Sequence, residues 1–89
     1  AEGQNVHPRL KGVVLRNVNA GGGGEGVLIE KMHTSSYAFQ AGLQPGDVIV
    51  MANRRPVATI ADLQKASQGN NQLLLNIVRE GQQFSLLLR

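Results

Sequence analysis

Residues 38 to 50 read Ala-Phe-Gln-Ala-Gly-Leu-Gln-Pro-Gly-Asp-Val-Ile-Val, and this stretch decides the fold. A short apolar helical segment ends at Gly42, because glycine readily adopts the left-handed conformation that terminates a helix. Pro45 presets the backbone for a tight turn, and Gly46 permits a positive φ within that turn. The stretch therefore predicts a short helix that is stopped, reversed and followed at once by a strand.

The sequence on either side alternates β-rich segments with short helical ones. β-branched residues and flanking turn residues predict strands at 10–18, 26–32, 47–53, 56–57, 72–79 and 82–88. The first two strands are expected to pair across a mobile glycine-rich loop. Turns are predicted at Arg54-Arg55 and at Glu80-Gly81, the second of which closes a terminal hairpin.

Two helices are predicted, at 36–41 and 59–68. Thr59 is the expected N-cap of the second helix, with Asp62 three residues on as a variant of the capping box. This order of elements predicts a mixed α+β, mainly β fold. It would be a small five- to six-stranded, partly open β-barrel or sandwich flanked by two short helices.

Length and composition restrict the chain to one small domain. A chain of 89 residues buries only about 60–65% of its unfolded surface. The sequence has no cysteine, which excludes disulfides and thiolate metal sites. Residues 1–5 are interpreted as a linker or a cloning remnant and residues 6–89 as the domain, which suggests a domain cut from a larger protein.

The charge pattern argues against nucleic-acid binding. The net charge is +3, but the nine Lys and Arg residues are scattered, and the only aromatic residues are Tyr37, Phe39 and Phe84. A nucleic-acid interface usually combines a basic stripe with several stacking aromatics. A mild positive field instead favours anionic ligands such as a peptide carboxylate.

Some residues match motifs for catalysis or cofactor binding, but the neighbouring sequence lacks the structure that each motif requires. Gly21, Gly23 and Gly26 match a dinucleotide-binding glycine pattern, but the segment that follows is β-rich instead of helical. His7 is interpreted as a solvated residue at a strand entry and His33 as a loop residue, and nothing in the sequence brings a Ser or Asp to either of them. The chain alone is therefore expected not to be an enzyme, and it implies no cofactor and no metal.

The remaining candidate site is Leu10-Lys11-Gly12-Val13 at the entry to the first strand. Successive backbone N–H groups converging around a glycine can hold a carboxylate, and an adjoining edge strand can accept an extended peptide. The alternative is an ordinary edge strand that is shielded by its own charges, Lys11 and Arg16. In the second helix, Ile60, Gln64 and Ser67 share a strip that would border such a groove.

Almost the whole chain, from about residue 6 to residue 89, resembles a known family. The ordered motifs are L-x-G-V-x-L, a glycine-rich loop, G-V-x-I, A-x-x-A-G-L-x-x-G-D-V-I, N-R-x-x-V, T-I-A-D-L, I-V-R-x-G and L-L-L-R. They resemble the PDZ domains of HtrA/Deg serine proteases, above all the second, C-terminal PDZ domain of the periplasmic DegP/DegQ type. That resemblance implies a circularly permuted PDZ fold in which the peptide-binding strand comes first.

The resemblance also assigns roles to residues. It implies that Leu10, Lys11, Gly12 and Val13 form a carboxylate-binding loop, and that Val13 and Leu15 face a ligand from the strand while Ile60, Gln64 and Ser67 face it from the helix. Lys11 and Ser67 depart from the apolar residues expected at their positions. A shallow or polar groove, with weak or substrate-tolerant peptide binding, is expected in consequence.

Two functions remain open. In the first, the domain recognises C-termini or extended segments of unfolded proteins for a protease elsewhere in the chain. In the second, it docks against neighbouring PDZ or protease domains to build an oligomer. This second function is favoured by Lys11 and Ser67, which replace expected apolar residues. A PDZ module from another membrane protease or secretion protein is a further alternative. The resemblance implies a periplasmic parent protease, and the isolated domain is expected to be monomeric.

Overall fold

The computed structural model describes residues 2–20, 24–69 and 72–88. Two 3₁₀ turns, Gly3–Asn5 and Pro8–Leu10, precede the regular elements. The strands are β1 (Val13–Ala20), β2 (Gly24–Met32), β3 (Val48–Ala52), β4 (Arg55–Pro56), β5 (Leu73–Arg79) and β6 (Gln82–Leu88). The helices are α1 (Tyr37–Gln40) and α2 (Ile60–Ser67), and neither is long and apolar enough to cross a membrane.

All the strands belong to one antiparallel sheet. Its order is β1-β2-β3-β5-β6, with the short β4 paired to β3, so β1 and β6 lie at the two edges. The predicted mainly β fold with two short helices is confirmed, and the sheet is open instead of closing into a barrel. The predicted pairing of the first two strands is also confirmed. The loop predicted to join them falls on residues 21–23, which lie outside the described residues.

The turn residues largely act as the sequence predicts. Gly42 and Gly46 have φ values of +117° and +96°, so both use the left-handed region that glycine tolerates. The terminal hairpin turns at Glu80-Gly81, where both residues have positive φ. These residues fix where α1 ends, where β3 begins and where β5 folds back onto β6.

One predicted turn lies a residue earlier than expected. Asn53 and Arg54 carry the positive φ values of +51° and +68°, whereas Arg55 begins β4. Asn is among the non-glycine residues that best tolerate this region. Its side chain also donates to the Ala66 carbonyl at 2.9 Å and accepts from the Leu74 N–H at 3.0 Å. The turn is therefore placed by contacts with α2 and β5.

The core fills the space between the sheet and α2. Leu63 and Ala66 of α2 are buried there with inward side chains of the strands. Thr59 caps the helix as predicted, since its hydroxyl accepts the Asp62 N–H at 3.2 Å. The Asp62 carboxylate reaches back and accepts the N–H of Ala58 at 3.1 Å. These two bonds fix the position at which α2 begins.

The interpretation of His7 as a solvated residue is wrong. Its side chain is buried, and its Nδ1 accepts the Arg9 N–H at 3.1 Å, which makes His7 the N-cap of the second 3₁₀ turn. The sequence pattern had not predicted this turn, and the turn folds the histidine inward. As predicted, His33 lies in the loop after β2, and it is exposed there.

Candidate functional site

The predicted carboxylate loop lies at the entry to β1. Leu10 is fully buried, whereas Lys11 and Gly12 are exposed. The N–H groups of Leu10 and Lys11 donate to the carbonyls of His7 and Pro8, at 2.9 Å and 3.3 Å, so two of the four predicted donors already have acceptors. Gly12 has a φ of +87°, and a Cβ there would lie 3.1 Å from the Ser36 Cβ, so glycine is needed at this point.

The other predicted site residues divide between the core and the surface. Val13 and Leu15 of β1 are almost completely buried in the hydrophobic core, so a ligand could reach their side chains only if a covering group moved. Ser67 is buried too, and its hydroxyl donates to the Gln64 carbonyl at 3.2 Å. Ile60 is partly buried and Gln64 is exposed.

The structure brings β1 and α2 together through a contact that the sequence analysis missed. Asn17 of β1 accepts the N–H of Ile60 through its Oδ1 at 2.7 Å, across 43 positions of sequence. The bond gives an acceptor to one of the N–H groups that a helix N-terminus leaves without an intrahelical partner. The only sequence signal is an Asn inside a β-rich segment, where asparagine is depleted.

The N-terminal segment lies along the edge of β1. Glu2 forms an isolated antiparallel bridge with Val14, and the following 3₁₀ turn packs beside the strand. Gly3 is buried so tightly that an added Cβ would lie 2.8 Å from the Leu10 Cβ. The interpretation of residues 1–5 as a linker gave no indication of this bridge. The proposed domain start at residue 6 stays a prediction.

A cavity of about 850 Å³ opens at the same end of β1. Lys11, Lys31 and His33 contribute basic groups, and apolar walls come from β1, β2 and the start of α1. The cavity is lined by Glu2, Pro8, Lys11, Gly12, Val13, Val14, Lys31, Met32, His33, Ser35, Ser36 and Tyr37. Such a lining suits a ligand that is apolar and carries a negative charge.

Two observations bear on chemistry other than peptide binding. The Ser35 hydroxyl oxygen lies 2.6 Å from His33 Nδ1, and the same nitrogen accepts the Ser35 N–H at 3.2 Å, a local contact within an exposed loop. Among the residues described, no group of three or more His, Asp or Glu side chains could hold a metal ion.

Comparisons with known proteins place this geometry in a family. A family model for the PDZ domain matches residues 28–88. The chain is 36% identical over its whole length to the periplasmic pH-dependent serine endoprotease DegQ of Escherichia coli K12, of which it covers 20%. Over 73% of its length it is 39% identical to the periplasmic serine endoprotease DegP of Salmonella typhimurium, of which it covers 14%. The chain thus spans a fifth or less of these relatives.

A solved structure agrees in fold. The crystal structure of the HtrA3 PDZ domain bound to a phage-derived ligand, FGRWV, superposes with a TM-score of 0.75. The match covers 86% of this chain and 79% of that one at 24% identity. The open antiparallel sheet with two short helices is therefore a PDZ fold, and this chain belongs to the PDZ domain family, with homology to HtrA proteases of the DegQ/DegP type.

Proposed function

We propose that this domain is the non-catalytic, polypeptide-contacting module of an HtrA/Deg-type serine endopeptidase, and that it takes up an extended peptide as an added strand on β1. The observation that carries the proposal is the antiparallel bridge between Glu2 and Val14. Main-chain pairing of this kind is how strand addition supplies affinity. The edge of β1 therefore already pairs, at one residue, with a segment of its own chain.

The direction of the N-terminal segment agrees with this role. A peptide whose carboxylate is held at residues 10–13 must run antiparallel to β1, towards the beginning of the strand. The chain from Glu2 to Gly3 runs in the same direction on the same edge. A bound peptide would therefore replace Glu2 at Val14. Displacing Glu2 costs free energy and so weakens peptide binding. This agrees with the weak binding that Lys11 and Ser67 lead us to expect.

The charge around the loop indicates which peptides would bind. Lys11 and Lys31 are exposed beside a largely apolar cavity, so a free apolar C-terminus offers matching groups. The long stem of Lys11 can cover apolar surface while its ammonium group approaches a carboxylate. C-termini and extended segments of misfolded proteins, which expose apolar side chains, are the proposed ligands.

NMR titration of the ¹⁵N-labelled domain tests the proposal. Short peptides that end in a free apolar carboxylate should shift resonances of residues 10–18 and 59–68, and the matching C-terminal amides should not. Lys11→Glu should weaken binding about fivefold, the effect of roughly 1 kcal/mol from a surface charge. Lys65→Glu, an equal charge change at another exposed site, should leave binding unchanged. No response at millimolar peptide would contradict strand addition.

Assembly is the second candidate function. It is favoured by the burial of Val13 and Leu15 and by Glu2 on the strand edge, which together leave little open groove. In this case the domain docks against neighbouring PDZ or protease domains of the same oligomer. Phe39 of α1 is exposed and would serve such a contact, so Phe39→Ser should lower the oligomeric state of the full-length protein while Lys11→Glu should not.

The names of two relatives support a proposal for the compartment of the parent protein. DegQ and DegP are described as periplasmic, and we place the parent protease of this domain there as well. Fractionation of cells that carry the tagged full-length protein checks this placement, since the protein should be released with the periplasmic contents. Recovery with the cytoplasmic fraction would contradict it.

A further inference from the structure

The strand β6 forms the sheet edge opposite to β1, and five of its seven residues are exposed. Two of the exposed residues, Phe84 and Leu87, have large apolar side chains that are 39% and 41% exposed. This edge lies at the opposite side of the sheet from the peptide site and takes no part in the proposed strand addition on β1.

Natural edge strands are usually protected against pairing with another chain by charges, prolines, bulges or a covering segment. None of the residues from Gln82 to Leu88 is charged or a proline. Their register with β5 is continuous from Arg79↔Gln82 to Leu73↔Leu88. By contrast, β1 carries Arg16, an irregular register at Val14/Leu15 and the bridge to Glu2. Among the residues that the structure describes, the β6 edge therefore lacks the charged residue, the irregular register and the covering segment that the opposite edge has.

The hairpin geometry identifies the outward-facing backbone groups of β6. The Glu80-Gly81 turn has two residues, so the Gln82 N–H bonds to the Arg79 carbonyl. Hydrogen-bonded and non-hydrogen-bonded pairs alternate along an antiparallel ladder. The backbone groups of Gln82, Phe84, Leu86 and Leu88 therefore face β5. Those of Gln83, Ser85 and Leu87 face outward.

We propose that the β6 edge pairs with the same edge of a second copy of this chain, as an antiparallel two-fold ladder centred on Ser85. In this register all seven residues overlap, and each outward-facing residue meets an outward-facing residue. Phe84 lies opposite Leu86 of the second copy, and Gln83 lies opposite its Leu87. Aromatic and aliphatic cross-strand pairs of this kind stabilise a ladder.

Charge and size determine how strong the pairing is. Each copy carries a net charge of +3, but the paired strands are neutral, so no like charges meet within the ladder. Seven residues at about 3.4 Å each form a contact roughly 24 Å long. Such a ladder buries less than the ~1,600 Å² of a standard stable interface. The pairing is therefore weak, with monomers at low concentration and dimers when copies are crowded together in an assembly.

Sedimentation equilibrium of the domain from micromolar to millimolar concentration tests the proposal. The weight-average mass should rise towards that of a dimer, with amide shifts at Gln83, Ser85 and Leu87. Ser85→Pro removes an outward N–H without removing a hairpin bond and should keep the domain monomeric. Ser85→Ala is the control, because it loses only the hydroxyl bond to Asn76 and should still dimerise.

A charge exchange tests the register independently of the proline. Gln83→Lys with Leu87→Lys, and Gln83→Glu with Leu87→Glu, should each give a monomer, because like charges meet in the pair. An equal mixture should form a heterodimer, since Lys then lies opposite Glu at both ends. A wild-type mass that stays monomeric at millimolar concentration would overturn the proposal. So would dimerisation that neither Ser85→Pro nor the charged variants reduce.

Discussion

Arg79 at the end of β5 holds the carboxylate of Asp47 with two hydrogen bonds, from Nε to Oδ1 at 2.8 Å and from Nη2 to Oδ2 at 2.7 Å. The Asp47 side chain is 1% exposed and that of Arg79 is 29% exposed. Nη2 also donates to the Gly42 carbonyl at 2.8 Å, and the Gln44 N–H donates to Asp47 at 2.9 Å. One guanidinium therefore ties the end of α1 and the start of β3 to the end of the neighbouring strand β5.

Arg79→Met should lower the free energy of unfolding clearly more than Arg79→Lys. The methionine leaves the Asp47 carboxylate buried without its cation, whereas lysine keeps the charge but loses the two-pronged geometry. Urea denaturation measures both. Arg16→Met, which removes an exposed arginine from β1, is the control and should have little effect. Equal stability of Arg79→Met and the wild type would contradict this role of the pair.

The pKa of Arg79 determines the pH at which this arginine loses its charge. The hydrogen bond to Asp47 raises the pKa of Arg79 above its usual value, against an opposing effect of desolvation. A group whose pKa is raised on folding stabilises the folded state at every pH below its pKa in the unfolded state. This stabilisation is lost only as the pH rises through its pKa in the folded state. Because both values lie far above neutrality, titration of Arg79 should not alter unfolding in urea across neutral pH. If the free energy of unfolding did change across neutral pH, and if this change were absent in Arg79→Met, the conclusion about Arg79 would be contradicted.

Thr59→Ala should lower the free energy of unfolding by about 1 kcal/mol, the usual effect of losing an N-cap. The Thr59 hydroxyl accepts the Asp62 N–H, which otherwise has no partner within the helix. Thr59→Ser keeps the hydroxyl and should stay close to the wild type. Thermal or urea unfolding compares the two variants. If Thr59→Ser lowered the free energy of unfolding as much as Thr59→Ala, loss of the N-cap hydrogen bond would not be the cause.

Features that depend on local chemistry could be predicted from the sequence. Gly42, Gly46 and the Glu80-Gly81 turn lie where predicted, because each position requires a backbone conformation that few residues adopt. Thr59 is also the N-cap of α2, as predicted. These signals act within a few residues, so the neighbouring sequence contains all the information needed to place them.

Features that depend on distant contacts could not be predicted. The bond from Ile60 to Asn17 and the bridge from Glu2 to Val14 join segments with no common sequence pattern. The turn at Asn53 shifted by one residue because Ala66 and Leu74 hold its side chain. The site residues were chosen from local sequence patterns and from the family resemblance, and their roles in binding stay predictions because the fold alone does not test them.

Asn17→Ala should loosen the start of α2 against β1. The Ile60 N–H would lose its acceptor, which should reduce stability by about 1 kcal/mol and speed amide exchange at Ile60. Asn17→Asp keeps an acceptor and places a negative charge at the helix N-terminus, so it should protect this amide at least as well. Hydrogen exchange followed by NMR separates the two variants. Unchanged exchange at Ile60 in Asn17→Ala would show that the bond does not hold the helix.

Gly3→Val should increase peptide affinity by freeing the edge of β1. A Cβ at Gly3 collides with Leu10, so the N-terminal segment should detach from Val14. When a competing segment occupies a site for part of the time, apparent affinity falls in proportion to that occupancy, and removal of the segment restores it.

Titration with a peptide acid should therefore give severalfold tighter binding to Gly3→Val than to the wild type, with Val14 already shifted before peptide is added. Asn5→Ala, an exposed position in the same 3₁₀ turn, is the control and should match the wild type. If Gly3→Val shifted Val14 but left affinity unchanged, peptide and segment would not compete for this edge. The ligand would then bind elsewhere, and the bridge would be purely structural.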